Sequence, residues 1–337
     1  MNTDEHRFKN LLEKIQRAAN LTCEESKQAV FAMMEGEPQT GALLTALHEK
    51  GETAEEIIGF AEAMREKSVR VPLDGRRVLD TCGTGGDKKN TFNISTISAF
   101  VLAGCGIPIV KHGNRAASSA CGSADLLEAL GISYRIKPEL VPSILDATGF
   151  AFLFAPDYHP ATKSVVAVRK QLGIPTIFNL LGPLTNPAFP AAQVIGVYAK
   201  KALPLMEEGI RKMDPEKRAY LIHSSEGYDE ATPSSDFHLH STFCPARIEN
   251  AKSFGFGECR NADLRGGSPN ENASIAISIL SGDKGPKRET VLLNSMLGYL
   301  AFFPDVSLED AKNATAESIE SGAALRVVKR CQELFPL

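Results

Sequence analysis

The chain has 337 residues, 43% of them hydrophobic and 23% charged, enough for a sizeable core in one large domain or two smaller ones. A formal net charge of -4 gives no electrostatic reason to expect a nucleic-acid binder. Seven scattered cysteines without a CxxC argue against a disulfide framework or a zinc site.

The charged start, MNTDEHRFKN, has no signal-peptide core, and the apolar stretch 99–110 is broken by Gly104, Gly106 and Pro108 and is too short to span a bilayer. A cytoplasmic protein is expected. Phe8, Leu11, Leu12 and Ile15 fall at helical spacing, giving one apolar face. Thr22 with Glu25, and Thr53 with Glu56, are capping-box signals for helices starting near Cys23 and running to about Lys67. Between them a turn precedes a short helix. From Arg76 the texture changes. RRVLDTCGTGGD reads as a strand entering a glycine loop, and helical stretches then alternate with the β-type runs IPIVKHG, AFLFAP, QVIGVYA and AYLIHS. The expected fold is α/β: a small all-α N-terminal domain, 1–70, and a larger α/β domain, 71–337, with a mainly parallel central sheet. A segment near 161–188, helical over 161–172, is expected to return to the small domain.

The strongest chemical signal is Asp80-Thr-Cys-Gly-Thr-Gly-Gly-Asp87. Gly83, Gly85 and Gly86 let backbone N–H groups approach an anion and permit positive φ. Asn93-Ile-Ser-Thr96 opens a helix whose N-terminus would add its dipole and free N–H groups, with Ser95 and Thr96 hydroxyls for phosphate or metal. The glycines alone are equally well read as a turn; with NIST beyond them, phosphate binding is favoured. Lys111-His-Gly-Asn-Arg115 follows a strand, where open α/β sheets place ligands. There Lys111 supplies a cation, His112 and Asn114 supply directional hydrogen bonds, and Arg115 serves a ligand or a salt bridge. Ser118, Ser119 and Ser123 suit further phosphate contacts or a helix cap. Arg169 stands ten residues past His159, nearly three helical turns, so the two would project similarly; a guanidinium there can bind a carboxylate or form a surface salt bridge. Asp229-Glu230 in a loop can hold Mg²⁺ or simply be solvated. His238 and His240 are read as sheet or surface histidines, and no cysteine has the partners of a catalytic thiol.

Taken together, GTGGD, NIST, KHGNR, SSACGSAD, FAPDYHPA, IFNLLGPLTNPA, GYDEATP and LRGGSPNENA resemble, in order, the anthranilate phosphoribosyltransferase family. The resemblance extends to the start, QTGALLTALHEKGETAEEI, and to the tail, ILSGDKGPKRETVLLN, and so covers nearly the whole chain. It implies an active site at the hinge between the two domains, phosphoribosyl diphosphate (PRPP) and anthranilate as substrates, Mg²⁺ as cofactor, and a homodimer formed through the helical domain. It assigns Gly83, Thr84, Gly86, Asp87, Asn93, Ser95, Thr96, Lys111 and Ser119 to PRPP. Asp229 and Glu230 would hold Mg²⁺, with Ser95 on a further metal. Gly83, His112, Asn114, His159 and Arg169 would line the anthranilate channel, Arg169 taking the carboxylate; Lys111 and Arg169 are the expected catalytic cations. Pro175 and Thr162 stand where the family often has arginine and methionine. The alternatives are a phosphoribosyltransferase for another aromatic acceptor, a pyrimidine nucleoside phosphorylase, or a non-catalytic nucleic-acid-binding relative. Membrane association is not expected.

Overall fold

The computed structural model describes residues 3–116 and 120–337. Four helices open the chain: α1 (Thr3–Gln16), α2 (Cys23–Met34), α3 (Thr40–Lys50) and α4 (Ala54–Glu66). Both predicted capping boxes form, Thr22 with Glu25 and Thr53 with Glu56, so each helix starts where its local sequence satisfies the orphan N–H groups. Phe8, Leu11, Leu12 and Ile15 are all buried. They share a core with residues of α2–α4, with Val165 on helix Lys163–Leu172, and with Ile195, Val197, Ala219 and Leu221. The last four lie on or beside strands of the sheet; α4 packs on helix Ala202–Met213, which in turn packs on strands Arg218–Ser224 and Phe237–Ser241.

The sheet has seven strands: β1 (Leu79–Asp80), β2 (Ile109–Gly113), β3 (Phe150–Phe154), β4 (Ala192–Gly196), β5 (Arg218–Ser224), β6 (Phe237–Ser241) and β7 (Arg247–Glu249). Their order is β3-β2-β1-β4-β5-β6-β7. The pairs from β3 to β5 are parallel and the last two antiparallel, so the sheet is mainly parallel as expected. β1 through β4 are buried along almost their whole length, matching their near-continuous apolar runs. The opposite face is covered by helix Ile94–Gly104, which we call α5, and by Pro286–Phe302, with Ala323–Leu334 packed on α5. Strand order reverses around β1, and the crevice above the carboxyl ends of β1 and β4 is the switch point where such sheets bind ligands.

Candidate active site

The glycine loop leaves β1 at that switch point. Gly85 and Gly86 have φ of 63° and 89°, which only glycine adopts without strain. The loop is pinned to β4: the Thr84 N–H donates to the Gly196 carbonyl (2.8 Å), and the Thr84 hydroxyl accepts from the Tyr198 N–H (3.0 Å). Gly196 lies so close to the Asp229 backbone that a Cβ there would fall on its carbonyl oxygen, which fixes the acidic loop after β5 beside the glycine loop. Gly83 faces the Asp229 carboxylate from the other side.

Three carboxylates gather here. Asp229 is held well above the usual carboxylate range by burial, by the charge of Asp87 and by that of Glu230. Burial lifts Glu230 to about 8, against the pull of Lys111 and of the Ser95 N–H. Asp87 accepts the Lys89 N–H on one oxygen, and its other oxygen is buried without a partner. Such a cluster calls for a cation. Among the described residues no three His, Cys, Asp or Glu side chains converge as a complete metal cage. Mg²⁺ takes one or two carboxylates and completes its shell with waters and substrate phosphates, so Asp229 and Glu230 could hold it without a third protein ligand. Among the described residues no side chain caps the N-terminus of α5, so its first-turn N–H groups are not taken by a cap.

Lys111, on β2, is 1% exposed, and its ammonium donates to the Thr81 carbonyl, to Thr81 Oγ1 (3.3 Å) and towards Ser95 Oγ (3.4 Å). The side chain is therefore a fixed buried cation beneath the crevice. Asn93 Oδ1 and Thr96 Oγ1 are buried close by without partners, although Asn93 Nδ2 is taken by the Cys121 carbonyl. Ser118 and Ser119 lie outside the described residues. Ser123 is not the cap of helix Ser123–Ala129; Asp125 reaches back to the Gly122 N–H instead (2.9 Å). Arg115 is spent on Asp125 and Glu128 (2.7 and 2.8 Å), the structural side of its two readings.

His112 and His159 meet edge to face, 5.2 Å between ring centres. Burial depresses both, His159 to about 3 with help from the His112 charge, so both rings are neutral. The Nε2 atoms of both are buried without partners. Asn114 is exposed, its side-chain oxygen turned onto the Arg115 N–H. The helical-spacing link between His159 and Arg169 does not hold. His159 stands outside helix Lys163–Leu172, at φ −125° and ψ 56°, because Pro160 starts a separate 3₁₀ turn. Arg169 is half-buried, donates to Asn179 Oδ1 (3.2 Å) and lies over the Phe178 ring. No carboxylate pairs with it among the described residues, so the surface salt-bridge reading fails. His240 pairs with Glu207 (2.8 Å) on β6, away from the crevice. Cys82 is kept a thiol by burial.

Sequence reasoning passed over Asp80, Asn186 and Gln193, a buried polar group behind His112, and Asn294. The Asn294 side chain both donates to the Ala231 carbonyl (2.8 Å) and accepts from its N–H (3.1 Å), clamping the peptide next to Glu230. Only the polar character of Asn294 in an apolar helix hinted at this.

Family models described as the glycosyl transferase family, helical bundle domain, and the glycosyl transferase family, a/b domain, match residues 9–68 and 75–325. An anthranilate phosphoribosyltransferase of Desulforamulus reducens is 44% identical, over 86% of this chain and 86% of its own. One of Desulforudis audaxviator is 43% identical, over 97% and 96%. Among solved structures, the anthranilate phosphoribosyltransferase of Thermus thermophilus superposes with a TM-score of 0.90 at 38% identity, over 96% of this chain and 98% of that one. That of Saccharomyces cerevisiae in complex with PRPP and Mg gives 0.90 at 28% identity, over 97% of each.

Proposed function

The chain belongs to the anthranilate phosphoribosyltransferase family, and from that premise we propose how its residues carry the reaction. The enzyme transfers the phosphoribosyl group of PRPP to the amine of anthranilate, releasing diphosphate, in tryptophan biosynthesis. The observation that carries the site assignment is the carboxylate cluster of Asp87, Asp229 and Glu230 beside a glycine loop at the switch point.

PRPP lies on Gly83, Thr84, Gly86, Asp87, Asn93, Ser95, Thr96, Lys111 and Ser119. Asp229 and Glu230, with Ser95, hold Mg²⁺, which when bound neutralises charge growing on the leaving diphosphate. Lys111 adds a fixed positive charge that needs no reorganisation as the C–O bond breaks. Gly83, His112, Asn114, His159 and Arg169 line the acceptor channel, Arg169 taking the anthranilate carboxylate. An aromatic amine is nucleophilic while neutral, so holding it over the anomeric carbon is the second contribution. The two imidazoles, neutral and with unpartnered Nε2 atoms, suit an N–H-bearing acceptor.

The helical unit 1–70, with the returning segment near 161–188, is taken as one domain and 71–337 as the other. Support comes from the Ser164 hydroxyl, which donates to the Met33 carbonyl (2.9 Å). A homodimer through the helical domain and a cytoplasmic location complete the reading; among the described residues no helix is long and apolar enough to cross a membrane.

The test is loss of anthranilate fluorescence on mixing protein, PRPP and Mg²⁺, with EDTA and Asp229→Ala/Glu230→Ala as controls. Metal-dependent loss supports the whole reading. PRPP binding without anthranilate loss would mean another acceptor.

A further inference from the structure

We propose that Asp80 is a positioning residue for the acceptor side of this reaction, acting through the placement and tautomer of His112. The inference rests on the activity proposed above. Asp80 ends β1 with its side chain fully buried, and among the described residues no cation lies within ion-pair distance of it. Three neutral donors hold it instead: the His112 N–H (3.2 Å), Asn186 Nδ2 (2.9 Å) and Gln193 Nε2 (3.2 Å). A buried carboxylate served only by neutral donors is a costly arrangement, so the position asks for a reason.

Each donor also grips the frame around it. Asn186 Nδ2 donates to the Val110 carbonyl on β2 (2.9 Å), and its Oδ1 accepts the Ala188 N–H (2.9 Å). Gln193, on β4, donates from the same nitrogen to the Pro183 carbonyl (2.8 Å). It does so although its own Oε1 is left buried without a partner, the orientation a negative charge demands. The carboxylate therefore ties the end of β2 to the segment 182–188.

That segment supplies the Gly182 carbonyl, which lies 3.0 Å from His112 Nδ1. A carbonyl only accepts, so the proton sits on Nδ1 and Nε2 keeps a lone pair. This Nε2 is the buried, unpartnered atom on the ring that meets His159. As a lone-pair acceptor it receives an amine N–H; the opposite tautomer would set two N–H groups against each other. Asp80 fixes both ends of the contact that selects the tautomer, β2 through the His112 N–H and Gly182 through its neighbours.

The test uses the full-length protein and two variants, Asp80→Asn and Gln193→Met. In Asp80→Asn an amide N–H would face donors that now meet a carboxylate. Three quantities are read: KM and kcat for anthranilate at saturating PRPP and Mg²⁺, PRPP affinity by calorimetry, and the imidazole ¹H–¹⁵N spectrum, with His112 assigned by His112→Gln. We expect Asp80→Asn to raise KM for anthranilate about tenfold, to leave PRPP affinity within about twofold, and to move the His112 signals away from the Nδ1–H tautomer. Gln193→Met should shift all readings the same way, KM by about threefold. A folded Asp80→Asn with unchanged KM and an unchanged His112 spectrum overturns the inference. So does a PRPP affinity that falls as far as acceptor use, since that marks general disruption. If Asp80→Asn does not fold, Gln193→Met decides by the same readings. Should the unmutated protein fail to consume anthranilate, the proposed activity fails, and the His112 spectrum alone still judges what Asp80 does.

Discussion

Arg169 and Gly196 show how differently two residues serve one site. Arg169 carries a guanidinium whose pKa burial lowers, lying over Phe178 with one bond to Asn179. A half-desolvated cation with unused donors is suited to a carboxylate. Arg169→Ala should raise KM for anthranilate by about tenfold to a hundredfold, the worth of a charge-assisted hydrogen bond pair, with a smaller change in kcat. Unchanged kinetics would remove the assignment. Gly196 contributes no chemistry, only the space that Asp229 occupies. Gly196→Ala should push the acidic loop off the glycine loop and raise the Mg²⁺ concentration needed for half-maximal rate. Its folding cost should be about 1–3 kcal/mol, as for other overpacked sites. Lys111→Ala should weaken PRPP use, seen as a higher KM for PRPP, because a buried fixed cation is lost.

At the scale of elements, the site is assembled by strand ends and one helix start. β1 delivers the glycine loop, β2 Lys111 and His112, and β5 the acidic loop, while α5 starts beside Glu230. This crowding has a pH signature. Glu230 ionises at about 8, against an ordinary value of 4.5. Its contribution to stability is therefore fully present below 4.5 and is lost as pH rises through 8. His159, depressed to about 3, works the other way, but only below its ordinary 6.5. Between pH 6.5 and 8 the carboxylates dominate. Without Mg²⁺ the thermal midpoint should fall by a few °C (roughly 1–2 kcal/mol) across that window. Glu230→Gln should flatten the curve, and Mg²⁺ with PRPP should restore more at pH 8 than at pH 6.5. A wild-type midpoint that stays level would argue that the carboxylates do not cluster in solution.

Across the whole molecule, an ionic joint ties the end of α4 to the segment 182–188 and to the turn before β5. Arg65, near the end of α4, donates its Nε to the Leu184 carbonyl (2.6 Å) and both terminal nitrogens to Asp214 (3.0 and 2.6 Å). Lys217 adds a second cation at 3.0 Å. Burial works to raise Asp214, but the Arg65 hydrogen bonds and the Lys217 charge outweigh it and hold it at about 2, so the joint stays ionic at any working pH. The same segment that Arg65 grips at Leu184 carries the Gly182 carbonyl behind His112. Arg65→Leu should cost about 3 kcal/mol in urea unfolding, the usual result of stripping one partner from a buried pair. It should also loosen the acceptor side before the PRPP side; equal loss of both would mean the joint does not bear on the channel. Light scattering at twice the chain mass would support the dimer proposed through these helices, and a monomer would end that proposal.

The sequence by itself determined whatever depends on neighbours along the chain. The capping boxes at Thr22 and Thr53, the glycine loop and the apolar strands are written within a few residues, because helix starts and tight turns are satisfied locally. The clustered motifs also pointed to a phosphate-binding crevice. Spacing misled where a local break intervened: Pro160 ends the turn at His159, so the ten residues to Arg169 are not one helix. The tertiary structure alone decided what is buried against what. Asp80 meets Asn186 and Gln193 across more than a hundred residues, Asn294 reaches Ala231 across 63, and Glu230 comes to lie beside the start of α5 from far along the chain. Charges in a chain have ordinary strengths and partners only until folding removes water and fixes their distances, and it is those distances that leave His112 with one tautomer and raise the Glu230 carboxyl far above its ordinary value.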